Sequence, residues 1–448
     1  MALSGLQIFK LLPKTNCRDC GYPTCMAFGL QLAAGKTQPD ACPHLSPSAL
    51  ATLADAAVPA VRRVEIGPLD DRTVLGEETV LYRHEKRFVH PTALAFMIDD
   101  SVTVERFGDL LEAFANQRFE RVGQTLRHRL VAIGSSDAGR LTSRVKTASE
   151  RTGAGIVIVS DDPEALLKAG EAIAGARPLL CGADLTTFDR VAEIAKHLKA
   201  PFALRGRDLR ELSELGRRAL DAGIQHAMLE PVVTTAGDAL EAHVFARRAA
   251  VRDKVKALGF PTIAFPCRLT DDPLLQTVLA SALIAKYAAI VVVDTLDPAH
   301  TLPLLALTQG LYTDPQQPMM VEAGIYPLGG PGPNSPVLLT TNFSLTYYTV
   351  MGEIENSKVP AWLLVMDVEG QSVLTAWAAG KFVADAIAPF VKKSGIEEKV
   401  AHRRLVIPGY VAGIQSELET EMADWEVVVG VREASDIPRY LRALTAGR

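Results

Sequence analysis

Ala93-Leu-Ala-Phe-Met-Ile98, followed at once by Asp99-Asp100, is the first beat of a rhythm that runs through the middle of this 448-residue chain. Six consecutive apolar residues are short for a helix and suit a strand buried on both faces. Similar runs recur at Leu130–Ile133, Gly155–Ser160, Pro178–Cys181, Phe202–Leu204, Ala227–Leu229, Thr262–Phe265 and Ile290–Val293. The stretches between them carry helical spacing, as in Phe107, Leu110, Leu111 and Phe114, or Val191, Ile194 and Leu198. Eight strand-like runs alternating with helix-like segments predict a (β/α)8 TIM barrel. A doubly wound open sheet is the alternative, and the count of eight favours the barrel. Asp99, Asp100, Ser160, Asp161, Asp162, Glu230 and Asp294 then gather on the C-terminal face, where barrels do chemistry. The same residue types also cap the helices that follow strands. Cys181 and Cys267, also at strand ends, read as buried inert thiols.

Working outward, residues 46–62 read as a short helix and a linker. Residues 63–87 read as a lead-in hairpin, with Val64-Glu-Ile-Gly67 first, a turn at Gly76–Thr79, and Val80-Leu-Tyr82 second. A composition of 48% apolar and 22% charged residues, at net charge −5, supports two or three domains with cores of their own. No basic excess implies nucleic acid. No apolar run is long enough to span a membrane, and residues 1–10 show no signal-peptide pattern. Without an export signal, the expected location is the cytoplasm, and exposed cluster thiolates suggest an anaerobe.

Four of the six cysteines stand within residues 17–42, in Cys17-Arg-Asp-Cys20-Gly-Tyr-Pro-Thr-Cys25 and Cys42-Pro43. The spacing C-x2-C-x4-C-x16-C suits the four soft thiolates of a 4Fe–4S cluster. Zinc is the competing ligand, although its sites more often pair two C-x2-C knuckles. Disulfides do not suit a large cytosolic chain. Pro23 is placed at the first turn of a helix carrying Met26, Phe28, Leu30 and Leu32, with Gly35 to end it. Cys25 would ligate from that helix's N-terminus. An upstream helix over Leu6, Ile8, Phe9, Leu11 and Leu12 would close the other side.

Near the other end, Tyr326-Pro-Leu-Gly-Gly-Pro-Gly-Pro-Asn-Ser-Pro336 reads as a linker or rigid crossover. Beyond it, strands at Val337–Asn342, Trp362–Asp367, Arg404–Ile407 and Trp425–Gly430 predict a Rossmann-like α/β unit. Its clearest helix runs over Thr375–Val391. A ligand would bind beyond the carboxyl ends of those strands, at Thr340–Thr346, Glu369–Thr375, Pro408–Tyr410 and Gly430–Glu433. The expected domains are residues 1–60, 61–325 and 326–448.

The motif Cys-x2-Cys-Gly-x-Pro-Thr-Cys-x-Ala-Phe28, with Ala34-Gly-Lys36 and Cys42-Pro43, resembles the start of the large (gamma) subunit of the corrinoid iron–sulfur protein. Leu339-Thr-Thr-Asn-Phe-Ser-Leu-Thr-Tyr347 and Ser372-Val-Leu-Thr-Ala-Trp-Ala-Ala-Gly-Lys-Phe382 are similar to the same family. The resemblance implies a methyl carrier of the anaerobic acetyl-CoA (Wood–Ljungdahl) pathway. A corrinoid cobalt takes a methyl group from a methylated pterin, such as methyltetrahydrofolate, through a methyltransferase and passes it to acetyl-CoA synthase. The 4Fe–4S cluster, on Cys17, Cys20, Cys25 and Cys42, reduces cobalt that has slipped to Co(II). It also implies a cobalamin-type corrinoid held in the C-terminal domain by Thr340, Thr341, Asn342, Thr346, Glu433 and Ala434. The resemblance implies that Thr375, or a neighbour among Gly370, Gln371, Ser372, Val373 and Leu374, would lie near its lower face. No Asp-x-His-x2-Gly motif is present, and the only histidine of residues 326–448 is His402. The lower axial ligand is therefore expected to be absent, which favours Co(I).

Implied partners are a small subunit forming a heterodimer, the pterin methyltransferase, acetyl-CoA synthase/CO dehydrogenase and a reductant. Exchange among them calls for swing points, expected at Leu328–Pro336 and after Cys42. Two other classes stay open: an iron–sulfur electron-transfer subunit without corrinoid, and a barrel pterin methyltransferase using the strand-end aspartates.

Overall fold

In a parallel sheet covered on both faces every strand position is buried, so each strand reads as an unbroken apolar run. The computed structural model describes residues 5–33, 36–57, 59–173 and 175–446, and all eight runs of the central region are strands in it. Gly35, read as a helix stop, lies outside the described residues. The chain divides into two compact units, Met1–Phe119 with Thr125–Tyr312, and Glu120–Gln124 with Thr313–Arg448.

The first unit opens with α1 (Gly5–Leu11), α2 (Cys25–Ala33) and α3 (Pro47–Ala57). Glycines let α1 and α2 cross closely, since a Cβ on Gly29 would stand 3.1 Å from the Gly5 carbonyl oxygen. Helix α2 begins at Cys25, with Pro23 before its cap rather than in its first turn. The Thr24 hydroxyl caps it by accepting the Ala27 N–H at 3.0 Å.

The lead-in hairpin pairs β1 (Val64–Ile66) with β2 (Thr73–Leu75), so Val80-Leu-Tyr82 is not its second strand. Gly76 and Glu77 both take positive φ, and the Glu77 N–H donates to the Val61 carbonyl, which turns the chain away after Leu75. Val64, Ile66 and Leu75 are fully buried in the barrel's interior cluster, where they plug one end.

The barrel starts with β3 (Ala93–Ile98) and α4 (Val104–Asn116). A small hairpin of β4 (Phe119–Arg121) and β5 (Gln124–Leu126), which the sequence pattern did not predict, comes next. Strands and helices then alternate through β6 (Leu130–Gly134), α5 (Ala138–Thr152), β7 (Gly155–Val159), α6 (Pro163–Glu171), β8 (Leu179–Ala183) and α7 (Phe188–Leu198). They continue through β9 (Phe202–Gly206), α8 (Leu209–Asp221), β10 (Ala227–Pro231), α9 (Ala236–Val251), β11 (Thr262–Ala264), α10 (Pro273–Ala285), β12 (Ala288–Val293) and α11 (Pro298–Leu311). All neighbours are parallel, and β12 pairs with β3 to close the ring. Alternation sorts the side chains. Val157 and Val159 fill the barrel, while Ile156 and Ile158 on the same strand pack outward under the helices.

The second unit is a five-stranded sheet in the order β13 (Gly324–Leu328), β15 (Ala361–Met366), β14 (Val337–Thr341), β16 (Arg404–Ile407), β17 (Glu426–Val429). Its helices are α12 (Ser344–Ser357), α13 (Val373–Ala378), α14 (Ala384–Ser394), α15 (Gln415–Glu421) and α16 (Ile437–Ala446). The four predicted strands are parallel, and β13 adds an antiparallel edge.

Two expectations need correction here. Tyr326-Pro-Leu328 is strand, so the sheet begins before residue 326. The following Gly/Pro stretch is a pinned connection within this unit: the Trp362 indole donates to the Gly332 carbonyl, and the Ala401 N–H to that of Pro333. It does not have the form of a free swing point. The helix expected over Thr375–Val391 is two helices. Gly380 (φ +71) ends α13, and the Lys381 and Phe382 N–H groups turn back onto the Ala376 carbonyl, burying Phe382 completely. No helix among the described residues is long and apolar enough to cross a membrane.

Candidate cluster site and cofactor cavity

The cysteine loop is wound by left-handed residues. Lys14, Asn16 and Arg18 have φ of 61°, 51° and 70°, and Gly21 has 81°. Non-glycine residues in this region cost energy unless their surroundings fix them. Asn16 is fixed by accepting the Cys25 N–H on Oδ1 at 2.8 Å, and the Gly21 N–H closes a turn onto the Arg18 carbonyl at 2.9 Å. Cys42 follows the 3-10 turn Pro39–Ala41 and donates its N–H to Pro39.

Cys25 and Cys42 are buried against Ile8, Leu12, Phe28 and Leu53, and Cys20 packs on the same cluster. Cys17 is exposed, and none of the four is in a disulfide. Leu32 is half-buried beside Phe28, while Leu30 is 55% exposed. The Cys17 sulfur, the Asp19 carboxylate and the His44 ring lie within 4.8 Å of one another, with Asp19 and His44 joined at 2.6 Å. Three thiols on one apolar cluster and the exposed Cys17 offer the soft donor type that an iron–sulfur cluster takes. His44 and Asp19 stand at its solvent edge.

In the second unit, the carboxyl ends of β14, β16 and β17 open on a cavity of about 350 Å3. Thr340, Thr346, Ser372, Val373, Leu374, Glu433 and Ala434 line it, as do Leu345, Val350, Tyr410 and Tyr440. The Tyr410 hydroxyl donates to the Glu433 carboxylate at the rim. Leu345, Leu374, Trp377 and Tyr410 leave large apolar surfaces exposed. Inside, the Thr340 hydroxyl and the Tyr440 phenol are buried without a hydrogen-bond partner.

Thr341, Asn342, Gly370, Gln371 and Thr375 are not among the cavity's lining residues. Thr341 is fully buried one position on from Thr340, on the opposite face of the strand. Asn342 is a staple. Its Oδ1 accepts the N–H groups of Val368 and Gly370 at 3.1 and 3.0 Å, and its Nδ2 donates to Asp367 at 2.9 Å. It holds the loop in which Glu369 and Gly370 have φ of 57° and 70°. Gly370 has no room for a side chain, because a Cβ would come 2.4 Å from Met320 Cγ. That loop delivers Ser372, whose hydroxyl bonds that of Thr375 at 2.9 Å. His402 is engaged at both ring nitrogens, Nε2 donating to the Ser335 carbonyl at 3.0 Å and Nδ1 accepting the Arg404 N–H at 3.2 Å.

Sequence reasoning missed Val350 and Tyr440. Leu345 and Thr349, and Thr346 and Val350, repeat at i and i+4 on α12, and Ile437 and Tyr440 at i and i+3 on α16. That periodicity was a usable signal.

At the barrel's C-terminal mouth the acidic residues are mostly occupied by local structure. Asp162 caps α6 by accepting the Glu164 N–H, and for Asp100 burial is outweighed by hydrogen bonds from Ser135 and Ser136 and by the Arg140 charge, which hold its carboxyl down at about 2. Asp294 accepts from Gln276 at 2.9 Å. Glu230 is buried, its Oε1 shared by Arg205 at 3.0 Å and Arg268 at 2.9 Å. Burial pushes the Cys181 thiol well above its usual range and the Cys267 thiol up to about 12, so neither forms thiolate near neutrality.

The family described as CO dehydrogenase/acetyl-CoA synthase delta subunit matches residues 63–441, and an Fe-S cluster family matches residues 12–44. The chain is 40% identical to the corrinoid/iron-sulfur protein large subunit of Moorella thermoacetica, over 99% of both chains. It is 34% identical to the acetyl-CoA decarbonylase/synthase complex subunit gamma of Methanothermobacter thermautotrophicus, over 100% of both. Among solved structures, dihydropteroate synthase of Thermus thermophilus aligns with 55% of this chain and 100% of its own at TM-score 0.39 and 16% identity.

Proposed function

This chain belongs to the family of the corrinoid/iron-sulfur protein large subunit, the gamma subunit of the acetyl-CoA decarbonylase/synthase complex, and from that membership we propose that it is a one-carbon carrier with two cofactors. When bound, the corrinoid supplies a cobalt that accepts a methyl group from a methylated pterin held on a separate methyltransferase and yields it to acetyl-CoA synthase. The cluster supplies the electron that restores Co(I). The observation that carries this reading is the presence, in one chain, of four disulfide-free cysteines, three of them on an apolar cluster, and a hydroxyl-bearing cavity at the open end of a Rossmann-like sheet.

In this reading Cys17, Cys20, Cys25 and Cys42 hold a 4Fe–4S cluster. Thr340, Thr346, Ser372, Val373, Leu374, Glu433 and Ala434 border the corrinoid, with Leu345, Trp377 and Tyr410 as apolar surface for its ring. Asn342, with Gly370 and Gln371, sets the loop from which Ser372 and Thr375 would approach the corrinoid. Both nitrogens of His402 are committed to the backbone, which supports a corrinoid without a protein imidazole on its cobalt. The division of labour is a cluster domain over residues 1–60, a barrel from 61, and a corrinoid-binding domain that takes in the chain from about Thr313. Partner subunits follow from the family. The small subunit, the methyltransferase, the synthase and a reductant are the specific ones proposed.

Cys17→Ala tests the link between the halves, since Cys17 is the exposed member of the four. The variant should bind cobalt as wild type does, lose iron, and fail to return Co(II) to Co(I) with a low-potential donor. Unchanged iron content and unchanged reduction would contradict the proposal.

A further inference from the structure

Cations gathered without matching carboxylates repel one another, and a cleft lined by them selects an anion. At the end of the barrel opposite its C-terminal mouth, a cavity of about 460 Å3 opens beside the β1–β2 plug. Arg72, Arg177 and Lys199 line it, together with Glu171 and His197. With His197 neutral, three cations there face one carboxylate, an excess of two positive charges. The Arg72 Nε is buried without a hydrogen-bond partner. Glu65, which pairs with Arg72 at 2.8 Å, also pairs with Arg63 at 2.8 Å. Arg177 donates its Nε to the Glu65 backbone carbonyl at 3.0 Å, and neither Arg177 nor Lys199 forms an ion pair among the described residues. Burial pushes the Arg177 guanidinium below its usual range, and the Arg72 charge adds to this against the pull of Glu65. The Gly67 N–H on its carbonyl at 3.1 Å holds Arg177 at φ 45°, so this corner of the cleft is fixed before any ligand arrives.

We propose that this cleft binds the phosphoryl group of a phosphorylated small molecule. A phosphate monoester is a dianion and answers the excess of two charges, whereas a carboxylate answers half of it. The guanidinium forks of Arg72 and Arg177 suit phosphate oxygens, and the Arg72 Nε gains the acceptor it lacks. Lys199, at the C-terminal cap of α7, adds a point charge from the other side of the opening. Ile173, Pro178 and Leu198 give the same cleft an apolar wall, which suits an organic group on the phosphate. The site belongs to the barrel and does not depend on the corrinoid reading.

The test is isothermal titration of the full-length protein, carrying its cofactors, with phenyl phosphate, inorganic phosphate and benzoate. Phenyl phosphate should bind about tenfold tighter than benzoate, which offers one charge, and about tenfold tighter than phosphate, which leaves the apolar wall bare. Arg177→Gln should weaken phenyl phosphate by at least about tenfold, the worth of one charge-assisted hydrogen bond. Arg177 also ties down the plug, so Lys199→Asn serves as a second variant. Asparagine tolerates the left-handed cap that Lys199 occupies at φ 51°, removes the charge, and should weaken binding about threefold. No saturable binding of phenyl phosphate would overturn the proposal, as would an affinity that both substitutions leave unchanged. Benzoate binding as tightly as phenyl phosphate would overturn the assignment to a phosphoryl group. Inorganic phosphate binding as tightly would overturn the assignment to an organic phosphate.

Discussion

His128 and His243 show how far burial alone can move a side chain. His128 is 2% exposed against Phe114, with no hydrogen-bond partner for either ring nitrogen among the described residues. His243 is equally buried, with Nδ1 at 2.8 Å from the Thr262 hydroxyl. Desolvation pushes both down to about 4. The folded chain therefore refuses protons that the unfolded chain accepts below about 6.5, so both histidines destabilise the fold as pH falls from 6.5 towards 4. The slope is at most about 1.4 kcal/mol per pH unit for each group. Urea unfolding of wild type and His128→Phe at pH 7 and pH 5 checks this, and the variant should lose less stability on acidification. Equal losses would contradict it. At this scale the sequence was a poor guide to role. Thr340, Thr341 and Asn342 read alike, yet one lines the cavity, one is sealed under the opposite face, and one staples a loop.

At the scale of elements, legibility followed burial. The barrel strands were visible because both of their faces are covered, so every position is apolar, as in Gly155-Ile-Val-Ile-Val159. Strand β13 was not, since Gly-Ile-Tyr-Pro-Leu is a half-exposed antiparallel edge containing a proline, the composition of a linker. The break between α13 and α14 was hidden because Phe382 continues the helical apolar pattern while serving a reversed backbone. The α1–α2 crossing was hidden for another reason: its signal is the smallness of Gly5 and Gly29, which periodicity does not score. Gly29→Leu should force α1 off α2 and expose the cluster module. Anaerobically prepared variant should then lose iron to a chelator at least about tenfold faster than wild type, given that such modules depend on their metal for folding. Iron loss at the wild-type rate would show that the crossing does not support the cysteines.

For the whole molecule, the pattern of strands revealed architecture and the pattern of cysteines revealed chemistry, whereas the cavity had to be assembled from residues nearly a hundred positions apart. Leu345, Leu374 and Tyr440 come from three segments that no local reading joins. At the barrel's mouth several carboxylates cap helices or pair with Arg205 and Arg268, and the two thiols are held protonated. The account stands or falls on both ends of the chain carrying their cofactors. The decisive measurement is the iron and cobalt content of the full-length protein purified anaerobically from its host, with its absorption spectrum. The account predicts about four iron and about one cobalt per chain, with a spectrum lacking the signature of a base on cobalt. Iron without cobalt would contradict it and leave an electron-transfer protein in its place.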